Sequence, residues 1–443
     1  MKRLVDWHLR AWKDDSKRKP LLLRGARQVG KTYAVRQLAK SFHSFIELNC
    51  EELAKARSIF EQDLDVERIL LEISLLTKTT IVPGETLLFL DEVQVTPQAI
   101  LALRYFYEKM PKLHVIAAGS LLDFAIEQVG VPVGRVNMLY VYPLSFMEFL
   151  RAVGHSQLLA VIQSKQPLST LAHQMLLELL CQYLALGGMP EAVAAFAATK
   201  DPRESHTVLK GLIEAYRQDF SKYAKKHQIP YLNVLFNQIP HFIGDQFKYS
   251  SVHGEFKKRE LAPCLDLLLR AQVVHKITHS AGHGIPLGAE VNLEHFKLIM
   301  HDVGIAQALL GLDLAAWFLN KDKDIINRGT IVEAFVGQEL LCYSSPHYKS
   351  DLYYWKRESR GSQAEVDYLY DYQGKVVPIE VKSGHGSTLR SMHQFLAEHP
   401  TVRKGIRFWA ENSMQTETLD SLPLYSVATL CHSDQLEALT SLI

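Results

Sequence analysis

The stretch Gly25-Ala26-Arg27-Gln28-Val29-Gly30-Lys31-Thr32 sets two glycines with four residues between them and follows the second at once with a lysine and a hydroxyl. That spacing suits polyphosphate chemistry. The glycines let backbone N–H groups wrap phosphate oxygens, and a helix starting at Lys31 adds its positive dipole end. Lys31 then reaches the β- and γ-phosphates, and Thr32 is placed to ligate Mg²⁺. The pattern is a P-loop, with ATP and Mg²⁺ as the implied cofactors, and all eight residues are candidate cofactor-binding positions. The alternative is a Gly-rich turn that happens to precede Lys-Thr.

Downstream, "ETLLFLDEVQ" holds four consecutive apolar residues, Leu87 to Leu90, and then two acids. On an open α/β sheet, ligands bind outside the carboxyl ends of the strands. Asp91 is therefore expected to hold Mg²⁺ through water, and Glu92 to polarise the attacking water as a general base. A solvated strand end is the bland reading of the same pair. The next apolar run, "LHVIAAGS", ends in Gly119-Ser120, where Ser120 is placed to meet the γ-phosphate or the water unless the pair simply ends a strand. Arg135, in "VGRVN", has two open readings: a γ-phosphate sensor or arginine finger, or an ordinary surface arginine.

A second set of reactive side chains lies far from the first, in "AEVDYLYDYQGKVVPIEVKSG". The run reads as a β-hairpin. If Gln373 and Gly374 are the central turn residues, paired positions sum to 373 + 374 = 747, which sets Asp367 opposite Glu380 and Glu365 opposite Lys382. Directly opposed carboxylates repel. A divalent metal would supply the missing charge, with Asp367 and Glu380 as ligands and Lys382 orienting a nucleophilic water or stabilising phosphate charge. A cross-strand Glu365–Lys382 ion pair on a wet face is the plain alternative.

The elements that must position these groups follow from periodicity. "KPLLLRGARQVGKTYAVRQLAKSF" gives a short apolar strand, the glycine loop and an amphipathic helix, in the order a P-loop requires. From about Asp201 the charge pattern changes and a boundary is expected. Beyond it, Leu261, Leu265 and Leu268 recur at helical spacing, with Lys257, Lys258 and Arg259 near the helix start. Pro263 must then lie in the first turn, or the helix is shorter. Two strands, "QVVHKIT" and "HFKLIMHD", flank a Gly- and His-containing turn, which suits a winged helix-turn-helix. The basic cluster reads either as a DNA-contacting surface or as a solvated face. "RGTIVEAFVGQELLCYSS" is expected as an amphipathic helix before the C-terminal strands.

Composition bounds the rest. A chain of 443 residues has room for several domains, and 47% hydrophobic residues, 22% charged residues and a formal net charge of +1 describe an ordinary globular protein. Any nucleic-acid surface must therefore be local. The five cysteines are scattered with no CxxC pair, so neither a zinc site nor a disulfide framework is indicated. No run approaches the roughly 18 apolar residues that span a bilayer. A cytoplasmic location with no membrane partner is the expectation.

"LLLRGARQVGKT", "LFLDEVQ", "AAGS", "GR" and "YPLSFMEFL", in that order, together with "YLALGGMPEAV", resemble the AAA-type P-loop ATPases of bacteria and archaea that carry a C-terminal domain of unknown function. The resemblance implies a helical lid around Ser145 to Thr199 and a winged helix in the middle. The C-terminal pattern Asp, hairpin, Glu-x-Lys resembles the PD-(D/E)XK nuclease fold, in which Glu333 matches an acid that some members add from their first helix, as a further metal ligand. The expected architecture is α/β in three parts: a P-loop ATPase domain with helical lid over residues 1–200, a winged-helix domain over 201–315, and a nuclease-like α/β domain over 316–443. Two functions share the ATPase: a DNA-processing enzyme in which turnover gates the nuclease-like site, with Glu380 and Lys382 catalytic beside Lys31 and Glu92, or a nucleotide-controlled switch or scaffold that binds nucleic acid or protein without cutting. The oligomeric state is not legible.

Overall fold

The computed structural model describes residues 1–130, 132, 134–163, 167–320, 329–357, 364–383 and 389–443. Its first sheet is built from β1 (Leu21–Arg24), β2 (Ser44–Asn49), β3 (Thr86–Asp91), β4 (His114–Ala118) and β5 (Asn137–Tyr140). All pairings are parallel, in the order β2-β3-β4-β1-β5, so β4 lies between the glycine-loop strand and the acid-bearing strand. Side chains along each strand alternate between two cores: Leu87 and Phe89 face one, with Leu21 and Leu23, while Leu88 and Leu90 face the other, with Leu22. Both faces are covered, which is why these strands read as unbroken apolar runs.

The second sheet comprises β6 (Val274–Ser280), β7 (Val291–Met300), β8 (Leu352–Lys356), β9 (Glu365–Tyr372), β10 (Lys375–Lys382), β11 (Gly405–Trp409), β12 (Met414–Gln415) and β13 (Leu419–Pro423). Its order is β12-β13-β11-β10-β9-β8-β6-β7. The expected hairpin after the middle helices forms as β6–β7, but it does not stand free as a wing, because β6 pairs in parallel with β8. One hydrophobic core runs from Phe146 and Leu184, through Leu235 and Leu265, to Ile379 and Leu442. The helices after the first sheet and the second sheet are thus packed together.

Two helices differ from expectation. The helix Lys258–Arg270 contains Pro263 as its sixth residue, beyond the first turn. Its missing N–H leaves only the carbonyl of Arg259 without its usual partner, and Arg259 is exposed, where water serves instead. The helix Gly329–Cys342 is not amphipathic: from Ile331 to Cys342 every residue but Glu333 is buried. It is enclosed because Phe335 meets the Phe146 ring on one side while Tyr368 on β9 donates to the Glu333 carbonyl on the other. No helix among the described residues is long and apolar enough to cross a membrane.

Glu339 on that buried helix accepts the Phe146 N–H at 2.9 Å, and burial pushes its carboxyl up to about 8. A folded value above the unfolded one means the associated stability is fully present below the unfolded pKa and is lost as pH rises through about 8. Glu339→Gln keeps an acceptor for Phe146 and removes the ionisation, so it should stabilise the chain at pH 7 by on the order of 1–3 kcal/mol. Chemical denaturation of both forms checks this: the gain should shrink between pH 7 and pH 5, and a variant less stable at pH 7 would contradict it.

Candidate functional site

The loop after β1 adopts backbone angles that its glycines permit. Gly25 has φ +150°, and a side chain there would run into the Val141 carbonyl; Gly30, with φ +93°, precedes the helix Lys31–Ala39. Lys31 is buried and folds back on the loop, donating to the Gly25 and Ala26 carbonyls at 2.9 and 2.8 Å. Burial lowers its pKa to about 8, against the opposing pull of the Glu92 and Asp91 carboxylates. Thr32 Oγ1 donates to Asp91 Oδ2 at 2.8 Å, joining the loop to the end of β3. Burial raises the Asp91 carboxyl, and the Thr32 hydrogen bond works the other way. Glu92 sits at φ 52° just past the strand, its N–H bonded to Asp91 Oδ1 at 3.0 Å.

Gln94, Arg3, Tyr216 and Asp219, which sequence reasoning did not single out, help to hold this corner. Gln94 Nε2 donates to Glu92 Oε2 at 2.5 Å, while its Oε1 is buried with no hydrogen-bond partner and lies where a side chain at Gly119 would be. Ser120 Oγ, at the end of β4, is likewise buried without a partner. Arg3 bonds Glu148 through Nε at 3.1 Å and the loop carbonyl of Val29 at 2.6 Å. Arg27 forms a two-oxygen pair with Asp219, at 3.0 and 2.9 Å, and Tyr216 of the same helix, Pro202–Tyr223, donates to the Arg27 carbonyl at 3.0 Å. Gln94 stands two residues past Glu92 and was within reach of sequence reading. Arg3 and Asp219 find their partners 145 and 192 residues away, and no local pattern marks them.

Gly25 to Thr32, Asp91, Glu92 and Ser120 therefore all lie at the carboxyl ends of parallel strands. Arg135 does not join them. It precedes β5, whose Asn137 pairs with Leu21 at the start of β1, so it sits at the opposite end of the sheet. Its guanidinium binds Glu108 at 3.1 Å on the outer face of the helix Pro97–Lys109, which corrects its assignment to the nucleotide site of this chain. A buried lysine, a hydroxyl beside a carboxylate, and an unpartnered serine hydroxyl fit a polyphosphate with Mg²⁺.

At the C-terminal cluster the hairpin register is the one that Gln373 and Gly374 dictate. Both have positive φ, 54° and 73°, and the ladder runs from Lys375↔Tyr372 to Ile379↔Tyr368, every pair summing to 747. Past Ile379 the pairing gives way: Asp367 Oδ2 accepts the Val381 N–H at 2.7 Å. The Glu365–Lys382 ion pair, the plain alternative to a metal site, does not form. Glu365 binds Lys297 at 2.5 Å and Lys356 at 2.9 Å, and Lys382 instead binds Glu380 at 2.6 Å. Lys297, 1% exposed on β7, also binds Glu333 at 2.9 Å.

Burial pushes the Glu333 carboxyl up to about 8 and, with help from Asp367, the Glu380 carboxyl up to about 7. Burial alone would lower Lys297, yet the Glu333, Asp367 and Glu365 carboxylates hold it well above its ordinary value. Among the described residues no three His, Cys, Asp or Glu side chains are grouped to hold a metal ion. Of the expected ligands, Glu333 is bonded to Lys297, Asp367 to a backbone N–H and Glu380 to Lys382, while Glu380 Oε2 is buried without a partner among the described residues, so they are not arranged as a metal centre. Lys297 was missed because its run, "HFKLIMHD", reads as a strand of the preceding module.

Residues 17–150 match the family model described as AAA domain. Residues 177–316 and 328–427 match two families, each described as a domain of unknown function (DUF8612 and DUF4143). The parallel sheet, the glycine loop and the matched model define the first part of the chain as an AAA-type P-loop ATPase domain, a class that implies ATP binding. Among curated proteins no relative matches by sequence. Among solved structures the chain is similar to the Walker-type ATPase PABY2304 of Pyrococcus abyssi, at 17% identity and a TM-score of 0.44, over 69% of this chain and 95% of that one. It is similar also to the Aeropyrum pernix ORC1 protein in complex with DNA, at 12% identity and a TM-score of 0.26, over 71% and 92% of the two chains. Drosophila ORC bound to DNA gives 15% identity and a TM-score of 0.26, over 70% and 85%.

Proposed function

We propose that the chain is an Mg²⁺-dependent ATPase acting as a nucleotide-controlled switch. Lys31 leaves the Gly25 and Ala26 carbonyls for the β- and γ-phosphates of ATP. Thr32 and Asp91, already joined by a hydrogen bond, would hold Mg²⁺, which when bound would neutralise phosphate charge. Glu92, oriented by Gln94, takes the proton of the attacking water, and Ser120 Oγ meets the γ-phosphate.

The observation that carries the switch reading is the path out of the loop. The Tyr216 hydroxyl contacts the Arg27 carbonyl at 3.0 Å and His301 Nε2, just past β7, at 2.9 Å. Arg27 itself is fastened to Asp219 three residues further along the same helix. A loop that rearranges around phosphates therefore pulls on a helix tied to the edge of the second sheet. Lys297, seated among the C-terminal carboxylates, favours a switch over an ATP-gated nuclease. DNA is the partner to assay, since Lys257, Lys258 and Arg259 are exposed at the start of their helix.

The test is phosphate release by the purified chain, with and without Mg²⁺ and DNA, alongside cleavage of linear and branched DNA. Mg²⁺-dependent turnover without cleavage is the expected result. Absent turnover overturns the ATPase reading, and cleavage that vanishes in Glu380→Ala and Lys382→Ala overturns the non-cutting one.

A further inference from the structure

The C-terminal carboxylates belong to elements far apart in sequence: Glu333 to the buried helix Gly329–Cys342, Glu365 and Asp367 to β9, and Glu380 to β10. A set of four acids brought together in a largely buried place is untenable without positive charge. Lysines supply it here. Lys297 enters from β7 and places its ammonium between Glu333 Oε1, at 2.9 Å, and Glu365 Oε1, at 2.5 Å. The Tyr354 ring lies 5.3 Å from the ammonium and covers it further. Lys356 shares Glu365, and Lys382 holds Glu380. Among the described residues the cluster thus sets Glu333, Glu365, Asp367 and Glu380 against Lys297, Lys356 and Lys382, a formal balance of −4 + 3 = −1.

We propose that Lys297 is the resident cation of this cluster, standing where the sheet would otherwise need a divalent metal, so that the C-terminal site is lysine-centred and metal-independent. A point charge at the end of a flexible stem is what the position asks for, because Lys reaches several oxygens without a planar geometry to satisfy. The Glu365 oxygen stands at 2.5 Å, within the spacing at which carboxylates bind Ca²⁺, and the Glu333 oxygen at 2.9 Å, beyond it; both are longer than Mg²⁺ requires. Removal of the ammonium should therefore leave a cavity edged by acids that a small hard cation can enter with little movement. The inference does not depend on ATP turnover, and its test uses no nucleotide.

Mn²⁺ binding to the full chain, read by the loss of the free-ion resonance signal, separates the alternatives. The parent chain should take up no Mn²⁺ that is lost in Glu333→Gln or Asp367→Asn; an equivalent lost in either variant overturns the proposal. Lys297→Met should gain about one Mn²⁺ equivalent, and this should disappear in Lys297→Met/Glu333→Gln. A folded Lys297→Met chain that binds no more Mn²⁺ than the parent also overturns it. If Lys297→Met folds only with Mn²⁺ present, as its melting transition will show, the ion is replacing the ammonium and the proposal stands; if it fails to fold with or without Mn²⁺, the comparison of the parent with Glu333→Gln and Asp367→Asn decides.

Discussion

Lys31→Ala is expected to lower ATP turnover by at least about 100-fold, the range seen when one charge-stabilising donor is lost from a preorganised site. The lysine is buried at 7% exposure and donates to two loop carbonyls, which it would exchange for phosphate oxygens when ATP binds. Its removal also uncovers the charge of Asp91 and Glu92, which face it. Nucleotide binding should weaken in parallel, since the same ammonium opposes the phosphate charge before and during the reaction. Titration with a fluorescent ATP analogue and steady-state phosphate release measure the two effects. Turnover within a few-fold of the parent would remove Lys31 from the site.

Arg3→Ala should produce the largest loss of stability. The Arg3–Glu148 pair is almost fully buried, at 5% and 3% exposure, and Arg3 also donates to the Val29 and Tyr142 carbonyls. Breaking such a pair from one side leaves an uncompensated charge and typically costs about 3–5 kcal/mol. Glu148 keeps the Leu4 and Ser145 N–H groups as donors, at 2.8 Å each, which places the expected cost near the lower end, about 3 kcal/mol. Arg3→Met combined with Glu148→Gln should cost less than the sum of the single changes, because neither charge is then stranded. Thermal and denaturant unfolding read both. Because Arg3 holds the loop at Val29, the single variant should bind nucleotide more weakly even where it stays folded; unchanged stability and binding would show that the pair carries little.

The legible parts of the sequence were those in which one short stretch sets both partners. Gly25 to Thr32 needs only its own backbone, and Asp91 and Glu92 declare themselves by following four buried strand residues. The β9–β10 register was likewise local, fixed by Gln373 and Gly374 at the turn. What failed depended on sheet order or on enclosure. Arg135 kept a site role as one of two open readings, yet in a parallel sheet the residue before a strand lies at the opposite end from the residue after one. The helix Gly329–Cys342 was expected to be amphipathic, and its polar residues include Gln338 and Glu339. Both are buried and hydrogen-bonded across the interface, to the Val303 and Phe146 N–H groups. Lys297 was invisible for the same reason that β6–β7 looked like an independent wing: only the β6–β8 ladder shows that the hairpin belongs to the C-terminal sheet and can send a lysine into its carboxylates.

The most direct test of the ATPase account is Glu92→Gln. The substitution keeps shape and a hydrogen-bonding partner for Gln94 but removes the base. The account predicts ATP affinity close to that of the parent and turnover lowered by about 100-fold or more. Phosphate release at the parental rate, with binding intact, would contradict it.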